Sequence, residues 1–566
     1  YEPPFRSAYH PVWGMAALRT GWGPEDLYLF VGGGKGGARL RCYQHEHADP
    51  AQFLLHAHGK LLAIDSGYGG WGDPPSDWHH EMVWGPRNHN IMLVRDDRTG
   101  EDVGPPPPDN LRMALLARID AARLYGVDDA TLERLFRSEV REFGADTEVD
   151  RFYETAQLAH CRASTAYQGL RFQRDFFLVD RQWVLLVDSI TRPAGLTTPD
   201  TPRVVRQYLH GIGYRRGAAS GPGRRSIFGL ATDGTYYAAP DALARGWNRG
   251  VWRASATADE PEGRERPVAL YAHTEAPGSA AADGTDGAER LTFSHGDALH
   301  ASRRGRAFGQ RPQRRHTYSV ASLEVDFGRD LSPWLVTLLH PCADIDRQPL
   351  RVETWAYDGA HEARGDGRAA RVRGLAIRVH VEEREAHTPG QPAAPAPTAD
   401  TPAEGKVTSG LYLVEKRCDA LQPIASPALS IPGAPMAPRF DTDAGLVVAR
   451  VAGGAVEWVA MQDGSILRVG RGRADHSAPT ATEPVEPIAA LSAPGTVVVE
   501  RPEGGPWEGY VGLTGGAAGT LRLMVPRRPR DIALTAPAAR WRYDQAAAGI
   551  ELTLPAGVDT RFTITW

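Results

Sequence analysis

Two histidines, His45 and His47, stand one residue apart in the segment YQHEHADPAQF (43–53). In an extended chain such residues project to the same side, so both imidazoles can serve one site. Asp65 follows at the end of LLAID, and His89 lies within PRNHN (86–90). Neutral imidazole and carboxylate both bind zinc at about 2.0–2.2 Å, and three such ligands can hold the ion while the remaining histidine moves protons. Spacing alone leaves two readings open, a metal site or histidines that are exposed or satisfied within a core. The chain holds 19 histidines, with a second H-x-H pair at His56 and His58.

Other chemistries find less support. The run GGGKGG (32–37) lacks the Gly-Lys-Ser/Thr ending and the following helix of a phosphate loop, so it reads as a turn. Ser66 in IDSGYG lacks the glycine that precedes the serine in a nucleophile elbow. Cys42, Cys161, Cys342 and Cys418 are far apart and suggest neither a disulfide framework nor a cysteine zinc site. With 69 acidic residues, a pair of carboxylates suited to glycoside hydrolysis stays open as a weaker option.

The elements that would position the histidines read as strands. QFLLHAH-GK-LLAID (52–65) reads as a hairpin in which Phe53, Leu55 and Ala57 share a face, Gly59 and Lys60 turn the chain, and Asp65 ends the second strand. LRFQRDFFLVD and QWVLLVDSI (170–190) continue the pattern, the second apolar almost throughout and so buried on both faces. Between them, residues 109–144 carry apolar positions at helical spacing, which predicts two inserted helices opened by the rigid GPPPP loop (104–108).

At 566 residues the chain has room for about three to four domain-sized units, or fewer if they are large sandwiches. Its 61 glycines and 44 prolines, with 42% hydrophobic and 23% charged residues, describe a folded, turn-rich chain. The formal charge of −5 provides no global basic field for duplex nucleic acid or an anionic membrane. No apolar run approaches the roughly 18 residues that span a bilayer, so a soluble protein without a nucleic-acid or membrane partner is expected. Lysine occurs only at Lys35, Lys60, Lys406 and Lys416; the Arg-rich runs at 213–226 and 303–316 read as solvated loops that could also meet acidic sugars.

The Pro/Ala-rich stretch 387–406 has nothing to bury and reads as a linker or loop. The expected fold is therefore mainly β, a large antiparallel β-sandwich over 1–386 with a short helical insertion near 96–149. A second, smaller β-sandwich domain is expected over 407–566, where short strands such as GLVVARV and RFTITW alternate with Gly/Pro turns.

HEHADPAQFLLHAHGKLLAIDSGYG resembles the heparinase II/III-type polysaccharide lyase pattern: H-x-H-x-D, an aromatic a few residues on, a hairpin with a central glycine, and D-x-G closing the next strand. RNHNIMLV resembles that family's His-Asn strand, and AYQGLRFQRDFFLVDRQWVLLVDSI its Tyr-Gly…Arg…Trp-x-x-x-x-Asp hairpin. Order and content agree over roughly residues 10–345, whereas the region after 400 is similar only in being a further β domain. The insertion is longer than the family's connection, and His56 and His58 leave a rival assignment.

The resemblance implies one zinc ion, mainly structural, held by His47, Asp65 and His89, with His45 as the active-site histidine and Tyr68 beside the substrate. It implies β-elimination on an acidic polysaccharide or oligosaccharide containing uronic acid, in a periplasmic or secreted protein. It also implies an N-terminal α/α toroid supplying the rest of the active site. The chain opens at the sandwich with Tyr1, so a toroid upstream or on another chain is expected. The rival class is a non-catalytic glycan-binding or structural β protein that retains the zinc site.

Overall fold

The structure is a computed structural model. It describes residues 3, 5–34, 49–63, 65, 86, 89–95, 102–103, 126, 128, 130–131, 147–167, 170–191, 204–211, 248–252, 268–275, 291–302, 314–326, 334–342, 350–362, 369–383, 406–418, 424–425, 439–452, 455–470, 487–501 and 505–566. These are almost wholly β-strand, as the short apolar runs and turn residues lead one to expect. No helix among them is long and apolar enough to cross a membrane. The chain divides into two compact units, 1–346 and 347–566.

In the first unit, β1 (Ala8–His10), β2 (Met15–Arg19), β3 (Tyr28–Gly32), β4 (Gln52–Ala57) and β5 (Lys60–Ala63) form an antiparallel sheet in chain order. Along the chain follow β6 (Met92–Arg95), β7 (Asp102–Val103), β8 (Glu148–Glu154), β9 (Leu158–Tyr167), β10 (Leu170–Val179) and β11 (Trp183–Thr191). They are succeeded by β12 (Val204–Gly211), β13 (Asn248–Trp252), β14 (Val268–Glu275), β15 (Leu291–Ser302), β16 (Arg314–Asp326) and β17 (Trp334–Cys342). One described sheet runs β13-β14-β17-β11-β10-β9-β8 and another β15-β16-β12-β6-β7.

Side chains two apart on a strand share a face. On β10 these are Phe172, Arg174, Phe176 and Leu178; opposite them on β11 stand Ile190, Asp188, Leu186 and Val184. Phe176, Leu178, Val184 and Leu186 pack with Leu29, Phe53 and Leu55 of the first sheet. Phe172 and Ile190 instead pack with Met92 and Val94 of β6. The two smaller sheets therefore share the cover of one face of the β8–β11 sheet, and each large side chain buried there stabilises by about 1.5–3 kcal/mol. Arg174 and Asp188 stand where the two cores meet, the only charges in these two short rows. β11 is buried along its length apart from Thr191, because β10 and β17 flank it on either side.

The β4–β5 hairpin forms as expected, with Phe53, Leu55 and Ala57 buried, but its turn residues are His58 and Gly59, and Lys60 already pairs with Ala57. Both turn residues have positive φ, 52° and 72°, the pattern of a two-residue hairpin turn whose twist matches its strands. The turn thus sits one residue earlier than Gly59-Lys60. Most of the predicted helical insertion lies outside the described residues. At the start of its second helix, Asp128 Oδ1 accepts the Thr131 amide at 2.8 Å, which is N-cap geometry.

In the second unit β18 (Leu350–Glu362), β19 (Ala369–Glu383) and β20 (Lys406–Cys418) pair in sequence. The Pro/Ala-rich stretch 387–406 thus lies between two strands that pair in one sheet of the second unit. The predicted short strands recur at Leu446–Ala452, Ala455–Gly470, Pro487–Glu500, Gly519–Met524, Gly549–Leu554 and Thr560–Thr565. They enclose a core that includes Phe440, Val447, Met461, Val497, Leu552 and Phe562.

Candidate metal centre and its support

Three segments of the first unit converge. Asp49 lies in the turn that enters β4, Asp65 two residues beyond β5, and His89 three residues before β6. One donor atom from each of Asp49, Asp65 and His89 lies within 4.8 Å of the others. The His89 ring is fully buried and its Nδ1 lies 2.8 Å from Asp65 Oδ2, while the Asp65 side chain is 19% exposed. An ionised carboxylate only accepts hydrogen bonds, so Nδ1 carries the proton of that bond.

Asp49 is held by a compact turn. Its carbonyl accepts the Gln52 amide at 3.1 Å, and its carboxylate accepts Gln52 Nε2. Within the turn Ala51 has φ 55°, a left-handed conformation that alanine adopts only when its surroundings impose it. Thr147 Oγ1 accepts the Ala51 amide at 2.8 Å, and the Thr147 amide donates to Gly34 O. Gly33 makes the approach possible: a Cβ there would stand 2.4 Å from Asp49 O. The glycine run that reads as a mere turn in sequence thus seats the Asp49 loop.

His89 is held from the other side. Asn90 Nδ2 donates to Phe53 O at 2.7 Å, tying the His89 segment to β4. Arg174 then joins both segments, because its Nη1 donates to Ala51 O at 3.0 Å and to Asn90 O at 2.5 Å. Its Nε and Nη2 grip Asp188 at 2.7 and 3.3 Å. Tyr167 adds a hydrogen bond from its hydroxyl to Met92 O, and burial raises the pKa of that phenol.

The donor set suits a divalent cation. Two carboxylates and a neutral imidazole balance a dication, and all three bind zinc. Two ligands on one tetrahedral zinc stand about 3.3–3.6 Å apart. Ligation through His89 Nδ1 would require the 2.8 Å Asp65–His89 contact to open to that spacing and the Nδ1 proton to be released.

Of the residues expected at the site, Asp65 and His89 are brought together. His45, His47 and Tyr68 lie outside the described residues. Asp49 is an addition. It is the acidic residue of the H-x-H-x-D pattern, two positions from His47, and that same-side spacing is the signal that could have found it. The rival pair His56 and His58 sits at the opposite end of β4, outside the cluster. Burial lowers the His56 pKa, opposed by a backbone hydrogen bond involving Asp26.

The sequence model of the family described as "Heparinase II/III-like, C-terminal" matches residues 2–321, more than half of the chain. Among solved structures, heparinase III is similar at 13% identity, with TM-score 0.39, 66% of this chain covered and 41% of that one. Heparan sulfate lyase HepC from Pedobacter heparinus is similar at 10% identity, with TM-score 0.38 and coverage of 67% and 41%. Chondroitin AC lyase from Streptomyces coelicolor A3 aligns over 100% of this chain and 51% of its own, at 13% identity and TM-score 0.36. The chain thus spans about two fifths to one half of the length of these enzymes. No curated protein matches the sequence.

Proposed function

Because the chain belongs to the heparinase II/III-like C-terminal family, we propose that it is the β-sandwich portion of a polysaccharide lyase acting on uronic-acid glycans. The carrying observation is the convergence of Asp65 and His89, joined by Asp49, which follows His45 and His47 closely in sequence. A zinc ion bound there supplies a structural clamp. Asp65, His89 and His47 are its ligands, Asp49 completes the donor set, and together they fix the 45–49 segment to the sandwich.

The reaction is β-elimination. The proton on C5 of a uronate is only weakly acidic, so a base must reach it while polar groups stabilise the developing enolate. The C5–H bond breaks, its electron pair forms the C4–C5 double bond, and the C4–O4 bond cleaves with protonation of the leaving oxygen. His45 and Tyr68 are the groups on this chain that remove and return protons. Neutralisation of the substrate carboxylate falls to an α/α toroid, upstream or on another chain, and the enzyme works in the periplasm or outside the cell.

The test is incubation of the chain, alone and with its toroid partner, with heparan sulfate, chondroitin sulfate, hyaluronan and alginate. Ultraviolet absorbance of the unsaturated uronate product is followed. We expect product from at least one glycan and its loss in His45→Ala. Glycan binding without unsaturated product, for the toroid-bearing protein as well, would instead establish the non-catalytic reading.

A further inference from the structure

The second unit carries a row of indoles and guanidinium groups for which the lyase reading has no use. Arg501 Cζ lies 4.4 Å from the centre of the Trp507 ring, Trp507 meets Trp566 edge to face at 5.2 Å, and Arg527 Cζ lies 5.8 Å from the Trp566 ring. Strand pairing brings these residues together from three stretches of sequence. Trp507 stands opposite Ile564 in the ladder between Trp507–Leu513 and Thr560–Thr565, which puts it beside Trp566. The strand Asp531–Leu534 pairs with Thr560–Thr565 as well, and the Arg530 amide donates to Thr565 O at 2.7 Å. The segment PRRPR (526–530) is thereby fixed against Trp566, with Pro529 buried and Arg527, Arg528 and Arg530 exposed.

The charges in this row are uncompensated. Among the described residues Arg501, Arg527, Arg528 and Arg530 form no ion pair, whereas Arg450, Arg522 and Arg542 of the same unit each contact a glutamate. Arg501 is half-buried, and its Nε is buried with no hydrogen-bond partner among the described residues. Burial without a counter-charge lowers its pKa to about 10. A partly desolvated guanidinium with an unmade hydrogen bond is costly until an anion meets it. Stacked on an indole, it keeps its N–H edge free for a carboxylate or sulfate. Short clusters of basic residues are a recurrent feature of polyanion-binding surfaces.

We propose that Arg501, Trp507, Trp566 and the 526–530 segment form a binding site for an acidic polysaccharide chain, separate from the metal centre of the first unit. The half-buried indoles, packed against the core of this unit, seat the guanidinium groups, and the carboxylates or sulfates of the glycan meet Arg501 at one end of the row and Arg527, Arg528 and Arg530 at the other. The choice of a glycan over another polyanion rests on the lyase reading. The site itself rests on the row of side chains.

The test is equilibrium binding of the full chain to immobilised heparan sulfate and chondroitin sulfate, with dextran as the neutral control and a single-stranded DNA oligomer as a second polyanion. An Arg527→Gln/Arg528→Gln/Arg530→Gln variant changes only exposed side chains. We expect it to weaken glycan binding at least about tenfold and to flatten its dependence on salt. Arg501→Gln is expected to weaken binding with a melting temperature that does not fall, and Arg501→Lys to recover only part of the loss because lysine lacks the planar fork. Wild-type affinity in both the triple variant and Arg501→Gln, absence of glycan binding by the wild type, or binding of DNA alone would each overturn the proposal. Glycan binding that depends on these arginines without any unsaturated product leaves the site standing and removes the lyase reading. Turnover that survives while binding is indifferent to the arginines does the reverse.

Discussion

Arg174 and Asp188 face each other directly across the β10–β11 ladder, with Arg174 Nε 2.7 Å from Asp188 Oδ1 and both side chains essentially inaccessible to water. The pair occupies the point where the first sheet gives way to the β6 sheet and two backbone carbonyls, Ala51 O and Asn90 O, are left facing the core. A buried carbonyl needs a donor, and a buried guanidinium needs a counter-charge. The four groups satisfy one another, and in doing so they fix the loops that carry Asp49 and His89.

Removing one member leaves the other charged and buried. Arg174→Met should destabilise the first unit by about 3–5 kcal/mol in urea unfolding and weaken metal binding. Arg174→Lys should rescue little, since an ammonium cannot reach Asp188 and both carbonyls in one plane. A double variant, Arg174→Met/Asp188→Leu, should be less destabilised than Arg174→Met alone, which a double-mutant cycle would measure.

Gly33 tests the seating of the Asp49 turn. A methyl group there meets the backbone of Asp49 and Pro50 at 2.4 and 2.7 Å, and neither can swing aside as a side chain would. Gly33→Ala should cost about 2 kcal/mol or more in thermal or urea unfolding and lower metal affinity in parallel, whereas Gly126→Ala, with open space around it but a left-handed φ of 75°, should cost about 1–2 kcal/mol and leave metal affinity unchanged.

The pH dependence has a defined direction. Burial against Trp183 pushes the His340 imidazole down to about 3, so the folded protein keeps it neutral while the unfolded chain protonates it near 6.5. Below that value the unfolded state binds more protons, and stability falls as the pH falls. From this group the loss between pH 7 and pH 5 amounts to no more than about 2 kcal/mol. His160 is also held down by burial and adds loss in the same window. Asp175 acts lower. Its hydrogen bond from His160 and the nearby Arg162 outweigh burial and depress its pKa, so its contribution disappears only as the pH drops below the usual carboxylate range. Unfolding curves at pH 7, 6 and 5 should therefore shift steadily, and His340→Gln should flatten the shift.

The roles of the two neighbouring histidines separate by readout. His47→Ala should lose metal and stability together, because the binding energy of a structural ion is folding energy. His45→Ala should keep both and lose only turnover.

Much of this arrangement is legible in the sequence where a pattern has a single physical meaning. The alternation in Gln52–Asp65 and the apolar run of Trp183–Val187 translate directly into a half-covered hairpin and a central strand. The seam is not legible in that way. Arg174 interrupts an apolar row, but the carbonyls it serves belong to residues far away in sequence. Asp49 was visible within H-x-H-x-D, yet nothing local distinguishes a ligand carboxylate from one that caps its own turn, and Asp49 also accepts from Gln52. The Pro/Ala-rich stretch lies between β19 and β20, and composition alone does not disclose that these strands pair.

The most direct measurement is the metal content of the purified full chain after equilibration with zinc and desalting, beside Asp65→Asn and His89→Ala. About one tightly held ion per chain in the wild type is expected, with loss in both variants and a melting temperature that chelation lowers only in the wild type. A wild-type chain that emerges without metal, or variants that retain it as the wild type does, would contradict a metal centre built on Asp65 and His89.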